Sequence, residues 1–172
     1  MRLKVLALAI LALAVLSVAV AGIVAANDKS RFKTALIGYE ETPAVSSAGS
    51  GEFTATIDEE SQTIQYTLRF NNLNGGVLFA HVHFGQRGVA GGVAAFLCGG
   101  GSKPAPCVPG TTITGTITPA DVIGPAGQGI APGEWNELVA AIRAGVAYAN
   151  VHSTTQPGGE IRGQINDKDQ RD

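Results

Sequence analysis

Only three histidines, two cysteines and one methionine occur in the 172 residues, and this shortage of metal donors limits the chemistry at once. The methionine is Met1, so the two-histidine, one-cysteine, axial-methionine set of a blue-copper centre cannot be assembled in the usual way. Basic residues are scarce too. Arg2 and Lys4 stand in the first few residues, and the other ten Lys and Arg face fourteen Asp and Glu, a net charge of about −4. No cationic stripe exists to hold a nucleic acid or an anionic membrane surface, both of which are bound through clustered Lys and Arg. No Gly-x-Ser-x-Gly elbow occurs, and Gly99-Gly100-Gly101 lacks the lysine and the strand–loop–helix setting of a phosphate cradle. Glu40 and Glu41 adjoin each other in an expected loop, which is poor geometry for a glycosidase pair.

What is abundant lies at the N-terminus. Met1–Lys4 is a short basic start, and Val5 to Ala26 is an uncharged run of Ala, Leu, Val and Ile broken only by Ser17 and Gly22. Residues 1–26 therefore read as a secretory signal peptide, with Ala19 and Ala21 or Val24 and Ala26 before the cleavage point. The alternative is an uncleaved anchor, because such a run could span a hydrocarbon layer of roughly 30 Å. Either way the protein is expected outside the membrane, secreted or at the cell surface, and touches lipid only through this segment. Residues 27–166 suffice for one domain with a real core, and 167–172 form a charged tail. Cys98 and Cys107 flank a Gly/Pro-rich stretch; in an exported chain this close pair reads as a disulfide, with a free thiol as the alternative.

The hydropathy pattern predicts an all-β domain. Phe53, Ala55 and Ile57 alternate with Glu52, Thr54 and Thr56, and Ile64, Tyr66, Leu68 and Phe70 alternate with polar partners on the way back, giving a hairpin with one apolar face. Phe32 to Tyr39 is an expected edge strand, and Val77 to Phe84, apolar on both parities, an expected central one. Val93 to Leu97, Thr111 to Thr118, Val146 to His152 and Glu160 to Ile165 complete the set. Thr118-Pro119-Ala120-Asp121 has the form of a helix start, and Trp135, Leu138, Val139 and Ile142, spaced i, i+3, i+4, i+7, give one short amphipathic helix closed by Gly145. The expected fold is an antiparallel, Greek-key-like β-sandwich.

All three histidines lie on two of these strands. His81 and His83 are two apart and share a face; a partner strand carrying His152 on that face would bring three imidazoles together. Such a triad could bind one copper or zinc ion through an open, three-nitrogen site, where the metal could polarise water or exchange electrons in hydrolytic or redox chemistry. It could equally be a hydrogen-bonded patch. Tyr148, Asn150, Glu160, Arg162 and Gln164 share the polar face of the last hairpin, where Glu160 or Tyr148 could complete or orient the ligands and Arg162 could hold the Glu. Left to itself that face is also an ordinary solvent side.

Three segments in order carry a family resemblance: Ala80-His81-Val82-His83-Phe84-Gly85, then Gly145 to Ser153 with its Tyr-x-Asn-Val-His core, then Pro157-Gly158-Gly159-Glu160-Ile161-Arg162-Gly163-Gln164-Ile165. Together they resemble the hallmark segments of the CHRD domain, named for chordin, over roughly Phe32 to Ile165. The resemblance implies an extracellular antiparallel β domain and supplies no firm activity; the function expected is that of a non-enzymatic binding or structural module whose partner would be an extracellular protein or surface component. A looser similarity runs to copper–zinc superoxide dismutase, through the His-x-His strand, the disulfide and the Gly-rich closing strand. That enzyme's dinuclear site needs about six imidazoles and a carboxylate. Three histidines cannot supply it, and a single mononuclear site is what remains.

Overall fold

The computed structural model describes residues 31–165; the signal or anchor segment expected over 1–26 and the tail over 167–172 lie outside the described residues. Eight strands form one antiparallel sheet: β1 Arg31–Ile37, β2 Ser50–Asp58, β3 Thr63–Asn71, β4 Val77–Phe84, β5 Gly92–Cys98, β6 Ile113–Ile117, β7 Ala147–Ser153 and β8 Ile161–Ile165. Their spatial order is β5-β4-β7-β8-β1-β2-β3-β6. The all-β antiparallel class and the single short helix, α1 Trp135–Arg143, stand as expected. The facing layers belong to one continuous sheet, nearly closed on itself.

Alternation built the first half. Phe53 lies opposite Leu68, Ala55 opposite Tyr66 and Ile57 opposite Ile64, so every apolar residue of the β2–β3 hairpin points the same way. Asp58 fixes the turn by accepting hydrogen bonds from the backbone N–H groups of Glu60 and Ser61. β1 adds Phe32 and Leu36 to that face from one side and β6 adds Ile117 from the other. In the second half, Ala80 and Val82 of β4, Ala149 and Val151 of β7, and Ile161 and Ile165 of β8 meet them in a single core. β3, next to one end of the sheet, is tied to β5 at the other by the buried Tyr66 hydroxyl, which donates to the Leu97 carbonyl at 2.6 Å.

Two local features close the barrel-like wall. Gly163 sits where β8 passes β1, and a Cβ there would collide with the Ala35 carbonyl, so only glycine permits this approach. The stripe of α1, Trp135, Leu138, Val139 and Ile142, is buried in the same core. The expected helix start at Thr118 becomes one 3-10 turn, Pro119–Asp121, with its capping box in place. The Cys98–Cys107 disulfide is formed and pins the loop after β5.

Candidate functional site: a covered three-histidine face

Antiparallel register decides which side chains share the other face of the second half. Phe79 lies opposite His152, His81 opposite Asn150, and His83 opposite Tyr148; Asn150 and Tyr148 in turn lie opposite Arg162 and Gln164. Directly opposed residues project to the same side, so β4, β7 and β8 present one polar field while their alternate residues fill the core. That field is covered. Every residue of β7 and β8 is buried, and His81, His83 and His152 are 5%, 7% and 5% exposed.

The cover comes from loops and from β5. Gly85–Gly91, between β4 and β5, supplies the Gly91 carbonyl to His83 Nδ1 at 3.0 Å, and its N–H donates to the Tyr148 hydroxyl at 3.0 Å. The β7–β8 loop supplies the Pro157 carbonyl to His152 Nδ1 at 3.0 Å. Phe96 of β5 meets the His81 ring edge-on at 4.3 Å, and Phe79 stacks on it at 4.7 Å. Gln164 Nε2 donates to the carbonyls of Gly85 and Gly145, both at 2.9 Å.

These partners set the tautomers. A backbone carbonyl only accepts, so Nδ1 of His83 and of His152 carries the proton and each Nε2 keeps a bare lone pair. His81 Nδ1 stands 3.3 Å from His152 Nε2. The Nε2 atoms of His81 and His83 are buried without a hydrogen-bond partner among the described residues. Burial holds all three rings neutral: His81 falls to about 3, with repulsion from His152 and His83 adding to burial, and His83 to about 4, while His152 is also lowered.

The three rings offer one nitrogen each, all within 4.8 Å of one another. With metal–nitrogen bonds of 2.0–2.1 Å, two ligands of a tetrahedral ion lie about 3.3 Å apart. His81 Nδ1 and His152 Nε2 have that separation as a hydrogen bond donated by His81 to the bare His152 nitrogen, so His81 must move that proton to its other nitrogen to become a ligand there. Two of the three rings, His83 and His152, are oriented by backbone carbonyls, as metal-binding histidines are.

The remaining expected residues divide. Tyr148 lies parallel to His83 at 4.8 Å, and the Arg162 guanidinium sits 4.1 Å over the Tyr148 ring while Nη1 donates to the Val89 carbonyl. Asn150 donates through Nδ2 to Glu41 at 2.6 Å and to the Ile161 carbonyl at 2.9 Å. Glu160, fully buried, points elsewhere: its Oε1 accepts from Ser47 Oγ at 2.5 Å and from the Asn74 N–H at 2.7 Å. The carboxyl that joins Asn150 and feels the charge of Arg162 is Glu41, expected only as a loop residue. Burial pushes Glu41 up to about 7 against the lowering influence of Asn150 and Arg162. It opens on a cleft of about 350 Å³ lined also by Gln156, Gly158 and Gly159. Gly159, at φ +132°, keeps that opening clear, since a Cβ would stand 2.7 Å from Glu41 Oε1 and 2.8 Å from the Asn150 amide. No local pattern in the sequence marks Glu41.

A nearly closed antiparallel sheet with one disulfide, carrying every histidine of the chain on a covered polar face, defines a small β module suited to an oxidising compartment. The family follows from comparison. The CHRD domain model matches residues 32–165, and the chain belongs to the CHRD domain family, whose members are typically extracellular. No curated protein and no solved structure matches it.

Proposed function

We propose that this protein is an exported CHRD module that acts by binding rather than by catalysis, and that its polar face binds a single metal ion, copper or zinc, at His81, His83 and His152. The observation that carries the reading is the convergence of three neutral imidazole nitrogens, two of them on rings oriented by the carbonyls of Gly91 and Pro157. Export rests on the N-terminal run and on the disulfide, and intact-mass analysis of protein recovered outside the cell tests it: loss of about residues 1–26 is the expected result. An extracellular protein or surface component remains the partner expected of a module of this family, met through a surface other than the covered histidine face.

Equilibrium dialysis against copper and zinc, followed by elemental analysis, tests the metal reading. One ion per chain is expected in the parent and none in a His81→Ala/His83→Ala variant. Metal retained equally by both proteins, or by neither, would remove the site. In the second case the histidines hold the sheet together, and the binding role belongs to another surface.

A further inference from the structure

The surroundings of the three histidines bear on the charge of the ion they would take. All three donors are neutral imidazoles, and among the described residues no carboxylate belongs to the group. Glu41, the carboxyl of the wider network, is engaged by Asn150 and faces Arg162. Arg162 itself adds a permanent positive charge, stacked on the Tyr148 ring that lies parallel to His83. Phe79 and Phe96 wall in His81. An entering cation therefore meets uncharged nitrogens, aromatic rings and a guanidinium.

Charge decides strongly in such a place. The cost of taking an ion out of water grows with the square of its charge, so a divalent ion pays about four times the penalty of a monovalent one of similar size. An anionic ligand would offset that penalty, and the group has none. Coordination number points the same way. Zinc takes four ligands, and divalent copper a tetragonal set of nitrogen and oxygen donors. Three nitrogens on rings no more than 7% exposed offer a trigonal site, with little access for a solvent ligand to complete a fourth position.

We propose, resting on the metal reading above, that His81, His83 and His152 form a three-coordinate site selective for monovalent copper over zinc and divalent copper. No redox step is involved in loading, because the ion is supplied already reduced. Once bound, the copper is held in the reduced state by the same absence of negative charge.

Anaerobic titration of the purified protein with Cu(I) in competition with bicinchoninate measures the affinity. Parallel titrations use Zn(II) against a chromophoric chelator and Cu(II) against glycine. One Cu(I) per chain is expected, bound roughly a thousandfold more tightly than Zn(II). X-ray absorption should show three nitrogen neighbours and no fourth ligand. An Arg162→Gln variant, checked for folding by circular dichroism, should narrow the preference by roughly tenfold, because removing one nearby positive charge favours the divalent ion more. Zinc or divalent copper bound at the three histidines as tightly as Cu(I), or a four-coordinate Cu(I) spectrum, would overturn the charge argument while leaving the metal site standing. Failure of all three ions to bind would overturn the site itself.

Discussion

Acid should unfold this domain steeply, and the slope follows from four side chains. In the unfolded chain each histidine titrates near 6.5. In the fold His81 is lowered to about 3 and His83 to about 4, and His152 is lowered as well. As pH falls below 6.5 the unfolded chain therefore takes up protons that the native state refuses. The stability contributed by the three neutral rings is fully present above 6.5 and is lost progressively toward their folded values. Glu41 works in the opposite direction. Raised from 4.5 to about 7, its contribution is fully present below 4.5 and is lost as pH rises through 7. At pH 5.5 His81 and His83 leave the unfolded chain with nearly two extra protons, the lowered His152 adds to them, and Glu41 gives the folded chain nearly one, a net difference of at least about one. At about 1.4 kcal/mol per proton per pH unit, stability should fall by at least about 1.4 kcal/mol for each unit of acidification there. Guanidinium denaturation at pH 7.5, 6.5 and 5.5 with a chelator present, followed by circular dichroism, reads this directly. A midpoint that stays constant from pH 7.5 to 5.5 would refute the reasoning, because it would mean that the rings accept protons in the folded state at no cost.

Four further outcomes are expected. Glu41→Gln keeps an acceptor for Asn150 without the ionisation, so its stability relative to the parent should rise as pH climbs above 7, read as a widening gap between denaturation midpoints. Cys98→Ala/Cys107→Ala should lower stability by about 2–3 kcal/mol, since the bridge closes a short loop in the unfolded chain, and urea titration measures it. Tyr66→Phe removes the buried hydrogen bond that ties β3 to β5 and leaves the Leu97 carbonyl short of a donor, a loss of about 1–3 kcal/mol by the same titration. Gly163→Ala forces a Cβ against the Ala35 carbonyl, a backbone atom that cannot turn aside, and should cost more than about 3 kcal/mol, visible as loss of soluble folded protein.

Much of this fold is legible because its strands are half-buried. Strict alternation in Glu52–Ile57 and Thr63–Phe70 states which residues face the core, and the register puts them there. The run Val77–Phe84, apolar on both parities, is the strand β4, flanked by β5 and β7. The shared face of His81 and His83 follows from spacing alone, and its meeting with His152 from the pairing of β4 with β7.

What sequence could not convey is the cover. Tyr148, Asn150, Arg162 and Gln164 have the pattern of a solvent face, and they are buried because Gly85–Gly91, the β7–β8 loop and the stretch after β1 fold over them. The first and last of those segments lie far away in the chain, and the loops contribute largely backbone carbonyl, which has no residue signature. Glu41 escaped for the same reason. Glu160 illustrates the converse: just before β8, it turns to Ser47 and Asn74 instead of following the alternation of its neighbours.

The most direct test of the central claim is a crystal structure of the protein grown with copper, using anomalous scattering at the copper edge. One peak is expected about 2.0–2.1 Å from a ring nitrogen of each of His81, His83 and His152, with His83 and His152 still donating from Nδ1 to the Gly91 and Pro157 carbonyls. A peak at any other group of side chains, or no peak with the His81–His152 contact intact, would contradict it.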